Sequence, residues 1–535
     1  MPLKNYQLVN VTYQILSALG VEEVVVCAGA RNAPLVVALE RFAFNVKSYF
    51  EERSAAFYSI GRIQITKKPI AILTTSGTAV AELLPAVIEA YYQNLPLIVI
   101  TADRPKHYRN TGAPQSILQN NIFGPYVQNC FDWDINQIDF NILFDLHKPM
   151  HFNLCFDEPL IDFDWKNDFT TSLEINFSVT EKNNLEMKNS ISDVYDQRLQ
   201  KFKKPLIILS QLSDDERKAV YPLLVKYQIP HYAEVLSGLK NDIELNTIQL
   251  NVLEPLLSDY LNQNHFDSVI RIGGIPTLRT WRDLESRLKH IPVLNVTSRE
   301  FGGLSRESYF ADSTILQELL NSVQSCALNI VEYKNIIFEK LTEIMSRYQN
   351  SEPYFIHWLS RCIFNQPIYI GNSLPIREWD MFSVGVNQQV YANRGANGID
   401  GQLSTYFGWS KKMDSSWAIV GDLTALYDMA AFGLNQDHDP YALKRVVIIN
   451  NRGGQIFKKV FKHEMFLNQH NIEFSGLAKM WNWSYLCVNH HSQLNAVQEI
   501  AKNKTQDHFL IEIQTDQTQS DSVWSELAQI CTRFK

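Results

Sequence analysis

Short apolar runs alternate along this chain with stretches whose apolar positions fall at helical spacing, and the alternation begins at once. Residues 6–19 read as an amphipathic helix, Val24, Val25 and Val26 as a buried strand, and Gly29 as part of the turn that follows. Ala71, Ile72 and Leu73 lead through Thr74-Thr75-Ser76-Gly77-Thr78 into a helical pattern carried by Val80, Leu83, Leu84, Val87 and Ile88, and residues 97–100 return as a strand. Strand, helix and strand in that order is most economically a parallel β-α-β unit. The pattern resumes at 206–209, 268–272 and 293–296 and passes through a helical stretch at 333–348. It returns from about 354 to the end, where 417–420 and 446–449 are strand-like on either side of a helical stretch at 425–434. A polar stretch rich in Asn, Lys and Glu at 180–190 marks a boundary. The pattern predicts an α/β protein of three doubly wound parallel-sheet domains, at 1–180, 192–345 and 350–535.

Two polar segments stand where strands of the last block end. Gly421-Asp422-Leu423 follows the first strand, Asn450-Asn451-Arg452-Gly453-Gly454 follows the second, and Asp422 lies 29 positions before Asn451. That distance is one turn, helix and returning strand. Ligands of open parallel sheets collect outside the carboxyl ends of the strands. Magnesium takes about six oxygens in near-octahedral geometry and keeps water or phosphate among them. Asp422 offers a carboxylate oxygen, Asn451 an amide oxygen and Gly453 a backbone carbonyl, which leaves positions for two phosphate oxygens and a water. Either segment alone is an ordinary turn, and together they offer what a magnesium diphosphate needs.

Composition narrows the partners. The 535 residues are 45% hydrophobic and 20% charged, ordinary values for a globular protein, with a net charge of −8 and no long basic block. Small molecules are therefore expected rather than nucleic acid. No window reaches the roughly 18 uncharged apolar residues of a membrane span, and residues 1–9 lack the basic-then-apolar order of a secretory signal. Seven cysteines, at 27, 130, 155, 326, 362, 487 and 531, show no Cys-x-x-Cys spacing and read as reduced cytoplasmic thiols. Arg271-Ile272-Gly273-Gly274 lacks the full dinucleotide fingerprint, so the middle domain is assigned no cofactor of its own. His490-His491 has no metal-ligand spacing and reads as surface.

The metal and diphosphate segments resemble those of thiamine diphosphate enzymes. Within that superfamily the chain resembles the 2-succinyl-5-enolpyruvyl-6-hydroxy-3-cyclohexene-1-carboxylate synthases of menaquinone biosynthesis. The segments that carry this are Thr75-Ser76-Gly77-Thr78-Ala79-Val80, Thr101-Ala102-Asp103-Arg104-Pro105, Gly112-Ala113-Pro114-Gln115 and Gly371-Asn372-Ser373-Leu374 with Arg377. They are joined by the stretch from Asn393 to Gly401 and by Gly453-Gly454-Gln455-Ile456-Phe457. The likeness covers both outer domains in order and is weak across roughly 180–350. It implies an aminopyrimidine-binding first domain, a middle domain and a diphosphate domain.

Further roles follow from the resemblance. Glu52, in Phe50-Glu51-Glu52-Arg53 after a predicted strand, matches the acid that hydrogen-bonds to the cofactor's aminopyrimidine, and Glu51 stands where the family usually has aspartate. Ile399 matches the apolar residue beneath the bent cofactor, with Ile456 and Phe457 as neighbouring walls. Ser373, Gly421, Leu423, Gly454 and Gln455 join Asp422, Asn451 and Gly453 around cofactor and metal. Arg31, Arg104, Arg377 and Arg394 match arginines of the substrate region and suit anions, because guanidinium binds carboxylate in pairs. Gln115 is a neutral partner, and Arg279 could meet a further carboxylate. Two departures stand out. Ala28-Gly29-Ala30-Arg31 lacks the hydroxyl that the family carries at Ala30, and Arg452 stands where small polar residues are usual.

The implied reaction is decarboxylation of 2-oxoglutarate followed by Stetter-like 1,4-addition of the succinyl semialdehyde unit to isochorismate, with thiamine diphosphate and Mg2+, or Mn2+ in its place. It is a carboligase reaction of the transferase class. The resemblance also implies a homodimer or homotetramer with active sites at the subunit interface. Other 2-oxo acid decarboxylases, acetohydroxyacid synthase-like carboligases and a non-catalytic homologue remain the alternatives at this point.

Overall fold

The computed structural model describes residues 5–134, 138, 142–161, 164, 177–180, 202–250, 254–263, 265–311, 313–323, 330–386, 389–435, 442–458, 460–461, 463–502 and 507–533. Three parallel sheets with flanking helices form the frame, as an α/β chain of this pattern should. In spatial order the first has strands Asn45–Ser48, Glu23–Val26, Ile70–Thr74, Leu97–Asp103, Met150–Cys155 and Cys130–Trp133. The second has His231–Ala233, Pro205–Leu209, Ser268–Ile272, Val293–Val296 and Tyr309–Ala311. The third has Val390–Tyr391, Ile368–Ile370, Ser415–Gly421, Leu443–Asn450, Phe509–Gln514 and Ser484–Val488. A further pair, Ile142–Asp145 with Phe177–Thr180, is also parallel.

Central strands are buried along their whole length, as in Ile70–Thr74, Leu97–Asp103 and Leu443–Asn450. Both sheet faces are covered, which explains why the apolar stretches 70–73, 97–100 and 446–449 within them read as continuous runs rather than alternating ones. Each sheet is wound the same way. Its first strand lies between its second and third, so the crossovers leave in opposite directions from the first and third strands. Clefts for ligands open at such points. In the first sheet the switch lies between Val26 and Thr74, and in the third between Ile370 and Gly421.

The described chain divides into two compact units. One holds residues 1–183 with 393–412 and 427–439, and the other holds 184–392, 413–426 and 440–535. In the second unit one apolar core runs without a break from Leu206, Val269 and Trp281 through Ile356 and Trp379 to Trp417 and Ile511. In the first unit, the late segment Gln402–Ser410 crosses the helix Glu52–Thr66 at glycines. A Cβ on Gly61 would stand 2.1 Å from the Thr405 carbonyl oxygen, and one on Gly408 2.1 Å from that of Tyr58.

Several expectations are refined. The helical stretch at 80–88 is two helices, Thr78–Ala81 and Leu84–Tyr92, because Pro85 cannot continue the first. The stretch at 425–434 starts earlier, as the helix Asp422–Tyr427, and ends in a 3-10 helix, Met429–Asn435. Glu52 does not directly follow a strand: the strand ends at Ser48 and Glu52 opens the helix. Residues 181–190 lie outside the described residues.

Candidate active site

In the first unit the carboxyl ends of the first sheet bring several predicted residues together. A Cβ on Gly29 would meet Thr75 at 2.7 Å, so the turn after Glu23–Val26 packs directly on the turn after Ile70–Thr74. Gly77, at φ +84, similarly abuts Gln115, itself at φ +55. Arg31 is buried and donates from Nη1 to the Phe156 carbonyl at 3.2 Å, with Glu158 Oε1 also at 3.2 Å. Arg104 donates from Nε to the Pro114 carbonyl at 3.0 Å and lies over the Tyr108 ring. Gln115 is exposed.

Residues not singled out from the sequence hold this edge. Gln119 accepts from Gly77 N at 2.8 Å and donates to the Ala102 carbonyl and Asn153 Oδ1 at 3.0 and 2.9 Å. Arg109 grips Asp132 with two nitrogens at 2.8 and 2.6 Å and reaches buried Asp103 at 3.2 Å. These clamps tie the loop carrying Arg104 and Gln115 to the sheet. Apart from Asp103, six residues before Arg109, their partners lie 17 to 42 residues away in sequence, so no local pattern announces them.

The two adjacent acids at the start of the helix Glu52–Thr66 have different work. Glu51 is the N-cap, accepting from Arg53 N and Ser54 N at 3.1 and 3.0 Å. Glu52 makes no cap. Burial pushes its carboxyl above the usual range, and Glu51 and Glu82 add to the rise against an opposing backbone hydrogen bond. It also bears electrostatically on the buried thiol of Cys27, at the end of Glu23–Val26.

The segment 393–401 is pinned by Glu89 on the helix Leu84–Tyr92. Glu89 is 3% exposed and accepts from Gly395 N and Ala396 N at 2.8 and 2.6 Å. Arg394, half-buried, adds its charge in favour of the ionised Glu89. Ile399 is half-buried in the same segment.

In the second unit Ser373 stands at the switch point between Ile368–Ile370 and Ser415–Gly421 with φ +75 and ψ −126. A non-glycine residue in that region is strained by about 1–3 kcal/mol and is typically found at functional sites. Arg377, one turn on, donates to the Thr277 carbonyl at 2.9 Å. It shares a cavity of about 240 Å³ with Arg279, Glu254, Asp380, Leu374 and Trp524, so the structure brings together Arg377 and the Arg279 suggested by sequence.

Asp422 is 2% exposed at the start of its helix and accepts from Leu423 N at 2.7 Å and Gly453 N at 2.9 Å. Burial raises its carboxyl above the ordinary range. His470 Nε2 lies 3.2 Å from the same carboxylate. Asn450 is committed to structure, donating to Glu512 Oε1 at 2.7 Å and the Ile472 carbonyl at 3.0 Å. Asn451 donates from Nδ2 to Glu352 Oε2 at 2.9 Å, while its buried Oδ1 has no hydrogen-bond partner. A buried amide oxygen left unmatched needs an explanation, and a hard cation shared with Asp422 supplies one. Gly453 sits at φ +132, where a Cβ would strike the Leu467 carbonyl oxygen at 2.2 Å, so only glycine can present its carbonyl there. Among the described residues no cluster of three or more His, Cys, Asp or Glu could hold a metal.

Gly421 and Gly454 are half-buried on either side of this site, and Gln455 donates to the Asn451 carbonyl at 3.1 Å. Ile456 is half-buried and Phe457 42% exposed. Arg452, at φ +62, turns its side chain into solvent.

Residues 7–122 match the family described as thiamine pyrophosphate enzyme, N-terminal TPP binding domain. A 2-succinyl-5-enolpyruvyl-6-hydroxy-3-cyclohexene-1-carboxylate synthase of Bdellovibrio bacteriovorus is 39% identical, over 98% of this chain and 99% of its own length. Proteins of the same name from Akkermansia muciniphila and Bacillus pumilus are 33% and 30% identical, over 95% and 93% of this chain and 96% and 92% of theirs. The chain belongs to this synthase family. The match with the Bdellovibrio synthase runs through both units. The glycines of Arg271-Ile272-Gly273-Gly274 serve packing in this synthase-family chain. Cβ atoms on Gly273 and Gly274 would strike the Gln211 carbonyl oxygen and Arg299 at 2.5 and 2.4 Å.

The remaining expectations fall as follows. The described cysteines, 27, 130, 155, 362, 487 and 531, are free, and Cys326 lies outside the described residues. No helix among the described residues is long and apolar enough to cross a membrane. His490 is exposed and caps the short turn His491–Gln493, while His491 is half-buried and bonds to Asn350.

Proposed function

We infer that this protein performs the reaction for which its relatives are named, using thiamine diphosphate to decarboxylate 2-oxoglutarate and join the four-carbon remainder to isochorismate by 1,4-addition. In class it is a transferase of the carboligase kind acting in menaquinone biosynthesis. The observation that carries the reading is the orphaned Oδ1 of Asn451 beside Asp422, in a chain collinear with the named synthases from end to end.

Thiamine diphosphate, when bound, supplies the electron sink through which a 2-oxo acid loses carbon dioxide and its carbonyl carbon becomes nucleophilic. The chain's own residues do the rest. Asp422, Asn451 and the Gly453 carbonyl would hold Mg2+, or Mn2+ in its place, against the diphosphate, with Gly421, Leu423, Gly454 and Gln455 lining it. Glu52 would hold a proton at the aminopyrimidine nitrogen. A carboxyl raised by burial suits this, since general acid–base groups work best with pKa values near the ambient pH. Arg31, Arg104, Arg377 and Arg394 would orient substrate carboxylates by paired hydrogen bonds, with Gln115 and Ser373 as neutral partners. Ile399, Ile456 and Phe457 would form the apolar walls that exclude water.

Each unit exposes large apolar side chains near its share of these residues. Val46, Phe50, Tyr427 and Met429 are 46–69% exposed in the first, and Phe457, Val460, Phe461, Met465 and Phe466 are 41–79% exposed in the second. Contiguous exposed apolar surface marks an interaction site, which supports a homodimer or homotetramer with active sites at subunit interfaces. We place the protein in the cytoplasm, in keeping with its free thiols.

The test is loss of isochorismate on mixing purified protein with 2-oxoglutarate, thiamine diphosphate and Mg2+, omitting each in turn and weighing the product by mass spectrometry. The reading expects consumption that needs every component. Release of carbon dioxide while isochorismate persists would identify a different acceptor.

A further inference from the structure

Both side chains of the proposed cation site reach outward to one further residue, and Glu352 is the more telling. It opens the helix Glu352–Cys362, is 2% exposed, and is fixed by its own backbone N–H, which donates to Ser520 Oγ at 2.9 Å. Its Oε2 accepts from Asn451 Nδ2 across 99 positions of sequence. An amide side chain has a donor end and an acceptor end and can be turned over at little steric cost. In the reversed orientation Asn451 would set its carbonyl oxygen against the Glu352 carboxyl and its NH2 toward the cation, losing a hydrogen bond and a ligand together.

We propose that Glu352 is the positioning residue that sets the amide of Asn451, aiming Oδ1 at the divalent cation. The proposal rests on the Asp422–Asn451–Gly453 reading above. Groups that orient metal ligands from outside typically contribute about 10- to 100-fold in metal affinity. Glu352 needs only to accept, so an isosteric amide can replace it: in Glu352→Gln the side-chain carbonyl oxygen would still face Asn451 Nδ2. The other end of the side chain meets Glu378, a second buried carboxyl beside Glu352, which can take the new NH2.

The experiment measures Mn2+ binding by electron paramagnetic resonance, with thiamine diphosphate present, in the full-length parent and in Glu352→Leu, Glu352→Ala and Glu352→Gln. Thermal melts verify folding. Binding by the parent is the control, and its failure would overturn the cation site itself. Given parental binding, Glu352→Leu is expected to weaken Mn2+ at least about tenfold while Glu352→Gln stays within about threefold. Should Glu352→Leu not fold, Glu352→Ala carries the same expectation in the same titration. A folded Leu or Ala variant that binds like the parent would overturn the proposal. So would a Gln variant as weak as Leu, because the charge near Asp422, not the amide's orientation, would then be what matters.

Discussion

Gly453→Ala is the most exacting test of the proposed cation loop, because its cost can be worked from geometry. At φ +132 the alanine backbone is strained by about 1–3 kcal/mol. Its Cβ would also lie 2.2 Å from the Leu467 carbonyl oxygen and 3.2 Å from that of Asn468, both backbone atoms that cannot swing aside. Relief requires the peptide to move, and that breaks the 2.9 Å bond from Gly453 N to Asp422 Oδ2. A hydrogen bond to a charged group contributes about 1.5–3 kcal/mol. The two effects together come to about 2.5–6 kcal/mol, which is on the order of 10²- to 10⁴-fold in affinity if all of it falls on the bound geometry. Isothermal titration of thiamine diphosphate in Mg2+ should therefore show binding weakened at least about a hundredfold. Gly476→Ala is the control: nothing lies within 4 Å of its Cβ position, and alanine in the helix Ser475–Met480 should be neutral or stabilise by up to about 1 kcal/mol. If Gly453→Ala binds cofactor as Gly476→Ala does, the loop is not the cation site.

Three other outcomes are expected. Glu52→Gln should lower turnover at least about a hundredfold with folding intact, the lower end of general acid–base contributions, and near-normal turnover would remove Glu52 from the chemistry. Arg377→Ala should cost about ten- to a hundredfold in kcat/KM, from the roughly 1.5–3 kcal/mol of a charge-assisted hydrogen bond, and an unchanged value would separate its cavity from the substrate site. Asp428, wholly buried, is pushed up to about 6 by burial. A folded value above the unfolded one gives stability present at low pH and lost as pH rises through about 6. The melting temperature of the parent minus that of Asp428→Asn should therefore grow as pH falls from 7 to 4, and a flat difference across that range would contradict the burial argument.

What was legible in the sequence was what is local. The strands 268–272 and 293–296 have the predicted limits, and the Gly-Asp and Asn-Asn segments do end strands, because strand periodicity and turn residues are properties of neighbours. Pairings over long distance left no such trace. Arg109 with Asp132, Glu89 with Gly395 and Glu352 with Asn451 each join residues whose types are unremarkable where they stand. Glu51 and Glu52 show the limit most clearly. The two acids look alike in sequence, and only the cap geometry shows that Glu51 is spent on holding the helix start. Nor could spacing show that segments 393–412 and 427–439 join the first unit, since that follows from the glycine crossing at Gly61 and Gly408.

These pairings have a common physical logic. The loops that carry the predicted site residues are irregular, so their backbone N–H groups lack the partners that helices and strands supply. Buried carboxyls fill that need. Glu89 takes the amides of Gly395 and Ala396, Asp422 that of Gly453, and Glu512 that of Phe474, while Asp428 takes that of Ser404 in the first turn of the helix Gln402–Ser410. A carboxylate offers about four acceptor sites, so one buried acid can fix a loop that no periodic structure would hold. Desolvation opposes this by raising the carboxyls of Glu89, Asp422 and Asp428. Where the carboxyl's partner is a backbone amide, replacing the acid with its amide exchanges an acceptor for a donor at one oxygen and should loosen the loop. Glu352 differs because it needs one acceptor only, which is why its Gln variant should be tolerated where Glu89→Gln, with two backbone donors to satisfy, should free the 393–401 segment.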